Sequence, residues 1–186
     1  MIILDNGHGK NTPGKRSPFE PVLYEYEFNR DIVKRISNKL NLLNISNVIL
    51  TPEEEDVSLT TRVKRANKIY SSYPDAILIS IHANAGCGTG WEAFTSLNKT
   101  KSDHYATILY NSARTFFPDW KIRCDFTDGD PDKESNFYIL QKTRCPAILT
   151  ENFFMDTYKD YEFISSDAGR ELIADMHVHA IKQFYE

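Results

Sequence analysis

Two histidines and one glutamate each follow a short apolar run, and the three runs lie far apart in the chain. The residues are His8, His82 and Glu151. The runs are Met1–Asp5, Ala76–Ile81 and Pro146–Thr150. Short apolar runs of this kind are typical of buried strands, and the ends of strands form the edge of a sheet where α/β proteins bind ligands and metals. We therefore expect these side chains to meet in one site.

Glu25 adds a further carboxylate to this set. Two imidazoles and one carboxylate are a standard ligand set for catalytic zinc, which leaves a fourth position for water. The metal lowers the pKa of that water, and a second carboxylate that is not a ligand can accept its proton and return it to a leaving amine. This combination is typical of amide hydrolysis. Glu27 is an alternative to Glu25 as a ligand, and because the two point about 200° apart on a helix, spacing alone does not choose between them.

Strands and helices alternate along the chain. Apolar periodicity predicts helices over 25–43, 58–73, 102–117 and 166–184, and strands over 2–5, 47–51, 76–81, 91–95, 136–140 and 146–150. The alternation predicts an α/β fold in which a twisted, mixed, mostly parallel sheet of about six strands is flanked by helices on both faces. We expect a single domain over residues 1–186, with no linker or second domain.

Composition excludes several other classes of function. The net charge is −4, from 26 acidic and 22 basic residues without long charged blocks, which argues against a nucleic-acid groove. No apolar segment approaches the length of a membrane span, so we expect no membrane partner. Three widely spaced cysteines predict free thiols, and the chain begins directly with a strand rather than a signal peptide. These features predict synthesis in the cytoplasm.

Short motifs occur in a fixed order along the chain. Residues 5–9 read D-N-G-H-G, residues 80–85 read S-I-H-A-N-A, and Glu25 is followed four residues later by Asn29. The later motifs are G-W-E at residues 90–92, an apolar strand led by proline and ending in glutamate at residues 146–151, and L-x-x-R-x-x-x-A-N at residues 59–67. Together they resemble the zinc-dependent N-acetylmuramoyl-L-alanine amidases with an α/β catalytic domain, the amidase-3 family.

The resemblance implies roles for particular residues. His8, Glu25 and His82 would hold one Zn²⁺, and Glu151 would be the general base; Glu25 is favoured over Glu27. The implied substrate is peptidoglycan, cleaved at the amide between the lactyl group of N-acetylmuramic acid and L-alanine. Two further residues, Asn84 and Glu92, are possible substrate-orienting or auxiliary residues, and the alternatives are a turn residue and a structural charge.

The chain departs from the family pattern at three places. After the second strand the family usually has T-R, where this chain has Thr51-Pro52. The family often has a glycine directly after G-H-G, where this chain has Lys10. The family also has a glycine two positions after the glutamate that corresponds to Glu151, where this chain has Phe153.

Two other functions compete with a wall amidase. A zinc carboxypeptidase or endopeptidase acting on wall peptides would require a fixed arginine for a terminal carboxylate, and Arg62, Arg123 and Arg144 are candidates. A non-catalytic wall-binding module would be expected to lose a ligand or the base, and all four positions are present. The resemblance favours a monomeric wall amidase without a separate wall-binding domain, such as the catalytic domain of a phage or prophage endolysin.

Overall fold

The fold is seen in a computed structural model that describes residues 1–185. The strands are β1 (Ile2–Asn6), β2 (Asn47–Ile49), β3 (Ile77–Asn84), β4 (Trp91–Thr95), β5 (Lys133–Glu134) and β6 (Ala147–Phe154). The helices are α1 (Glu25–Leu42), α2 (Leu59–Ser72), α3 (Lys101–Phe116), α4 (Tyr138–Lys142), α5 (Tyr158–Ser165) and α6 (Asp167–Gln183). Within residues 1–185, none of these helices combines the length and apolar character that crossing a membrane requires.

The strands form one sheet in the order β2-β1-β3-β6-β4-β5. β1 pairs in parallel with β2 and β3, β3 pairs in parallel with β6, and β4 pairs in parallel with β5. β4 runs antiparallel to β6. The predicted α/β fold with a mixed, mostly parallel sheet of six strands is therefore confirmed. The carboxyl ends of the parallel neighbours β1, β3 and β6 lie at one edge of the sheet.

Two apolar cores cover the two faces of this sheet. The larger core packs α1, α3 and α6 against one face, and α1 contributes Phe28, Ile32, Ile36 and Leu40 at the predicted spacing of four. The smaller core packs α2 and α4 against the other face. Helices therefore cover both faces, as predicted.

The structure differs from the sequence predictions at three places. Residues 136–140 do not form a strand, because Tyr138–Lys142 is a short helix that buries Ile139 and Leu140 in the smaller core. The edge strand is instead Lys133–Glu134, which pairs with Phe94 and Thr95 and has no apolar pattern of its own. The helix Tyr158–Ser165 was not predicted from the sequence, and the Thr157 side chain before it makes no capping hydrogen bond.

Candidate metal centre

His8, Glu25 and His82 come together at the carboxyl edge of the sheet. One ligand atom from each lies within 4.8 Å of the other two. Oε1 of Glu25 is 3.3 Å from Nε2 of His8 and 3.1 Å from Nδ1 of His82. The three residues belong to the loop after β1, the start of α1 and strand β3, so parallel pairing and one helix bring distant parts of the chain to one point.

His8 itself makes the turn that follows β1. Its φ of 64° lies in the left-handed region, which is uncommon for a residue with a side chain. Gly7 and Gly9, which flank this residue, are required for space. A Cβ on Gly7 would lie 2.0 Å from the ring of His82, and one on Gly9 would lie 2.1 Å from the backbone of Asp56. The glycines therefore allow the loop to approach the second histidine closely.

Glu25 is the first residue of α1, where a carboxylate also suits the helix dipole. Its backbone N–H donates to the carbonyl of Lys15 at 3.0 Å. One turn further on, the side-chain amide of Asn29 donates to the carbonyl of Gly7 at 2.9 Å and fixes the β1–α1 loop to the helix. Glu27 is exposed and accepts a hydrogen bond from Tyr26 instead. Of the two glutamates, only Glu25 joins the histidines.

The carboxylate of Glu25 is buried and ionised. Burial by itself would raise its pKa, but the close contacts with His8 and His82, whose rings attract the carboxylate when protonated, lower the pKa well below its usual range. Its second oxygen, Oε2, is buried without a hydrogen-bond partner and lies 3.7 Å from the ammonium of Lys15. A cation bound between the three residues would compensate this buried negative charge.

A hydrogen-bond chain orients the ring of His82. Oγ of Ser80 donates to Oδ2 of Asp5 at 2.6 Å and lies 3.2 Å from Nε2 of His82. Because the hydroxyl proton of Ser80 is directed to Asp5, Oγ of Ser80 accepts a hydrogen bond from the N–H at Nε2 of His82. That tautomer leaves the lone pair of Nδ1 pointing at Glu25 and available to a metal.

Arg62 completes this chain from the opposite side. The guanidinium is buried and donates to Oδ1 of Asp5 at 2.7 Å and to the carbonyl of His8 at 3.2 Å. It also donates to the carbonyl of Val57 and the carboxylate of Asp56. The N–H groups of Arg62 therefore already form hydrogen bonds that hold the loops around the site. Arg62 is not free to bind the terminal carboxylate of a carboxypeptidase substrate.

Glu151 lies beside His82, its direct partner across β3 and β6. Its Oε2 is buried and has no hydrogen-bond partner. Burial raises the pKa of Glu151 well above its ordinary value, and the negative charges of Glu25 and Glu92 add to this, while Lys15 opposes it. A carboxyl group that is half-buried, unpartnered and next to the histidines is chemically suited to take up a proton.

Asn84 and Glu92 lie near Glu151, and their side chains are hydrogen-bonded to each other. The amide of Asn84 donates to Oε1 of Glu92 at 2.6 Å. The other oxygen of Glu92 accepts from Nε of Arg123 at 2.9 Å and from the ammonium of Lys133. Glu92 is buried and is the antiparallel partner of Glu151. In this arrangement the two residues stabilise the strand ends beside Glu151.

A cavity of about 340 Å³ opens beside His8, His82 and Glu151. Its polar rim holds His8, His82 and Glu151 together with Lys15 and Asp56. Its walls are largely apolar and aromatic, formed by Val57, Leu59, Phe137, Tyr138, Ile139 and Leu149. A pocket of this size with a few convergent polar groups is typical of a site for a small ligand or one segment of a polymer.

A family comparison decides the class of the protein. The family model "N-acetylmuramoyl-L-alanine amidase" matches residues 2–183. The chain belongs to the N-acetylmuramoyl-L-alanine amidase family. The enzyme class inferred from the motifs is thereby confirmed, and the chain is a peptidoglycan amidase.

Individual relatives agree with this membership. The chain is 29% identical to the N-acetylmuramoyl-L-alanine amidase CwlM of Bacillus licheniformis, over 99% of this chain and 68% of that protein. It is 24% identical to an endolysin of Bacillus phage SPP1, over 98% of this chain and 65% of the endolysin. The crystal structure of an N-acetylmuramoyl-L-alanine amidase from Clostridium difficile 630 superposes with a TM-score of 0.85 at 27% identity, covering 99% of this chain and 95% of that one.

Ser80 and Asp5 were not among the predicted site residues, although both stand in the motifs. Ser80 stands in the S-I-H-A-N-A motif two residues before His82, so the alternation of a strand places both side chains on one face. That signal was available. The contact of Lys15 with Glu25 depends on how the loop folds back, and local sequence gives no signal for it.

Proposed function

We propose that this amidase is zinc-dependent, with His8, Glu25 and His82 as the metal ligands and Glu151 as the general base and acid. The arrangement of four side chains carries the proposal. Three donor atoms of the zinc-preferring type lie within 4.8 Å of one another, and the neighbouring strand carries a buried carboxylate oxygen without a partner. Two imidazoles and one carboxylate leave an open position, as catalytic zinc sites do.

When bound, zinc supplies a water of lowered pKa and polarises the carbonyl of the scissile amide. The chain supplies the proton transfers. Glu151 accepts the proton of the attacking water and returns it to the nitrogen of L-alanine, which leaves as an amine. The raised pKa of Glu151 makes it a stronger base than an ordinary carboxylate, which suits a group that must take up a proton.

The other residues of the site hold these groups in place. Ser80 and Asp5 fix the tautomer of His82. Asn29 and Arg62 bind the backbone of the loop that carries His8. The apolar walls of the cavity exclude water from one side of the scissile amide. The reaction releases a glycan strand without its peptide.

Metal content tests the ligand set without reference to activity. We expect purified protein reloaded with zinc to hold one ion per chain, and the Glu25→Gln variant to lose the ion after passage over a desalting column. Glu27→Gln is the matched control, since that glutamate is exposed and bonded only to Tyr26. Retention of zinc by Glu25→Gln together with its loss in Glu27→Gln would overturn the ligand choice.

We also propose that residues 1–186 act as one catalytic domain, as a monomer, on the cell wall. This is supported by the match of the family model from residue 2 to residue 183 and by the single six-stranded sheet. Sedimentation of the purified chain at micromolar concentration is expected to give a mass near 21.5 kDa. A mass of twice that value would contradict the monomer.

A further inference from the structure

A second, basic cavity lies next to the candidate metal centre. It measures about 230 Å³ and is formed by the loop over residues 10–16 together with Tyr24 and Tyr26 at the start of α1. The larger cavity contains His8, His82 and Glu151. Lys15 lines both cavities, so a ligand that occupies the metal centre can continue past Lys15 into the basic one.

The loop that forms the basic cavity is fixed to the helix behind it. Arg16 pairs with Tyr24 in an antiparallel bridge, and the backbone N–H of Ser17 donates to the carbonyl of Leu23 at 2.8 Å. The carbonyl of Lys15 accepts from Glu25, the first residue of α1. The cationic side chains are therefore carried on backbone that is held against the metal ligands, and not on a free loop.

The charges of this cavity are only partly neutralised. Its lining includes Lys10, Lys15 and Arg16 and no carboxylate. Lys10 lies 3.8 Å from Glu54, and both side chains are exposed, so this pair is worth little. Lys15 lies 3.7 Å from Glu25, whose charge it would share with a bound cation. Within residues 1–185, Arg16 forms no ion pair and is exposed.

The two sides of the scissile amide differ in charge. The sugar side is uncharged, whereas the stem peptide carries a carboxylate on the residue after L-alanine when that residue is D-isoglutamate, and a neutral amide when it is D-isoglutamine. One extended residue spans at most about 3.6 Å. The carboxylate belongs to the second peptide residue, so it lies within two residue lengths, or about 7 Å, of the scissile bond. A carboxylate at this distance from the scissile bond can be reached by Lys15, which lies beside Glu25.

We propose that the basic cavity is a subsite for the stem peptide, in which Lys15 and Arg16 bind the carboxylate of the second peptide residue. The neutral sugar then occupies the larger cavity with Phe137 and Tyr138. The inference rests on the proposed amidase function. It predicts that the enzyme prefers stem peptides with D-isoglutamate over those with D-isoglutamine, since a lysine or arginine gains a charge-assisted hydrogen bond only from the acid.

The test compares two substrates, N-acetylmuramoyl-L-alanyl-D-isoglutamate and its D-isoglutamine analogue. For the wild type we expect kcat/KM to favour the acid by roughly tenfold, the order of one charge-assisted hydrogen bond. Lys15→Ala and Arg16→Ala should each reduce this ratio, and the double variant should bring it near one. Lys34→Ala, an exposed lysine further along α1, is the matched control and should keep the wild-type ratio.

A binding arm separates this inference from the proposed function. Titration calorimetry with the dipeptides L-alanyl-D-isoglutamate and L-alanyl-D-isoglutamine requires no cleavage, and the acid should bind more tightly to wild type but not to the double variant. Equal kcat/KM and equal binding for acid and amide would overturn the subsite while leaving the amidase intact. Absence of cleavage at the muramoyl–alanine bond, with selective binding of the acid, would overturn the proposed function and leave the carboxylate site standing.

Discussion

Oγ of Ser80 lies 3.2 Å from Nε2 of His82, on the side of the ring opposite the candidate metal ligands. The serine hydroxyl donates to Asp5, so it acts on the histidine as an acceptor. The contact fixes which ring nitrogen carries the proton, and with it the nitrogen that can bind a metal. Partners of this kind tune the affinity of a metal site by about 10- to 100-fold.

The first prediction follows from this contact. Ser80→Ala should weaken zinc binding by about 10- to 100-fold, because the ring of His82 loses its acceptor and both tautomers become populated. Competition with a chromophoric chelator measures the affinity directly. Ser112→Ala is the control, since Ser112 is buried in α3 and its hydroxyl has no partner. Zinc affinity unchanged in Ser80→Ala would contradict the assigned tautomer.

The second prediction concerns the fully buried His177. Its Nδ1 lies 2.8 Å from the carbonyl of Ile173, and its Nε2 lies 3.1 Å from Oγ1 of Thr150. Burial lowers the pKa of His177 to about 4, below its usual value of 6.5. Above pH 6.5 neither the folded nor the unfolded state binds this proton. Between pH 6.5 and 4 only the unfolded state does, so the free energy of unfolding should fall by ~3 kcal/mol as the pH falls through this window.

Urea unfolding at pH 7.5 and pH 4.5 measures this loss. His177→Gln should reduce the fall in stability between the two pH values, since glutamine does not titrate. His104→Gln is the control and should retain the full fall, because His104 is exposed. Equal pH dependence in wild type and His177→Gln would show that His177 is not the group responsible.

The third prediction concerns Phe153, whose φ is 68°. The side chain is fully buried and packs against Phe117, Trp120 and Phe163. This is the position at which the family pattern has glycine, and its left-handed backbone is the physical reason for that preference. Replacing Phe153 by alanine or glycine should cost about 3–5 kcal/mol of stability for the lost ring.

The order of the two variants is the informative result. Phe153→Gly should be more stable than Phe153→Ala by about 1 kcal/mol, because only glycine adopts this conformation without strain. At Phe117, where φ is −122°, the alanine variant should be at least as stable as the glycine variant. Chemical denaturation measures the free energy of unfolding of the four variants. If alanine is also the more stable replacement at Phe153, the backbone there is not strained.

The sequence predicted the fold class well because its signals were local and redundant. The apolar stripe of α1 and the buried runs of β1, β3 and β6 are long enough to identify each element. The run from Asn136 to Leu140 failed because short apolar segments do not distinguish strand from helix. Burial of Ile139 and Leu140 in the smaller core decided its conformation. The pair Lys133 and Glu134 forms a strand only because an open sheet edge lies beside it.

The candidate metal ligands could also be predicted from the sequence, but the residues that support them could not. Motif residues His8, Glu25 and His82 were expected to meet, and they do. The support around them was not expected, since Arg62 reaches Asp5 across 57 positions of sequence. The burial of His177 against Thr150 depends on the packing of α6 on β6, for which the local sequence gives no signal.

The fourth prediction concerns the base. Glu151→Gln should lower kcat by about 10²- to 10⁴-fold, because glutamine cannot accept the proton of water. Zinc content should stay at one ion per chain, since Glu151 is outside the ligand set. Activity is measured by release of peptide from purified peptidoglycan, and metal content by atomic emission. A variant that cleaves as fast as wild type would remove Glu151 from this role.

The most direct test of the account is to identify the amino termini that appear when the protein digests purified peptidoglycan. The account predicts new N-terminal L-alanine, which disappears when a chelator removes the metal, returns on addition of zinc, and is nearly absent with Glu151→Gln. New amino termini from residues inside the stem peptide, or release of alanine that is unaffected by the chelator, would contradict it.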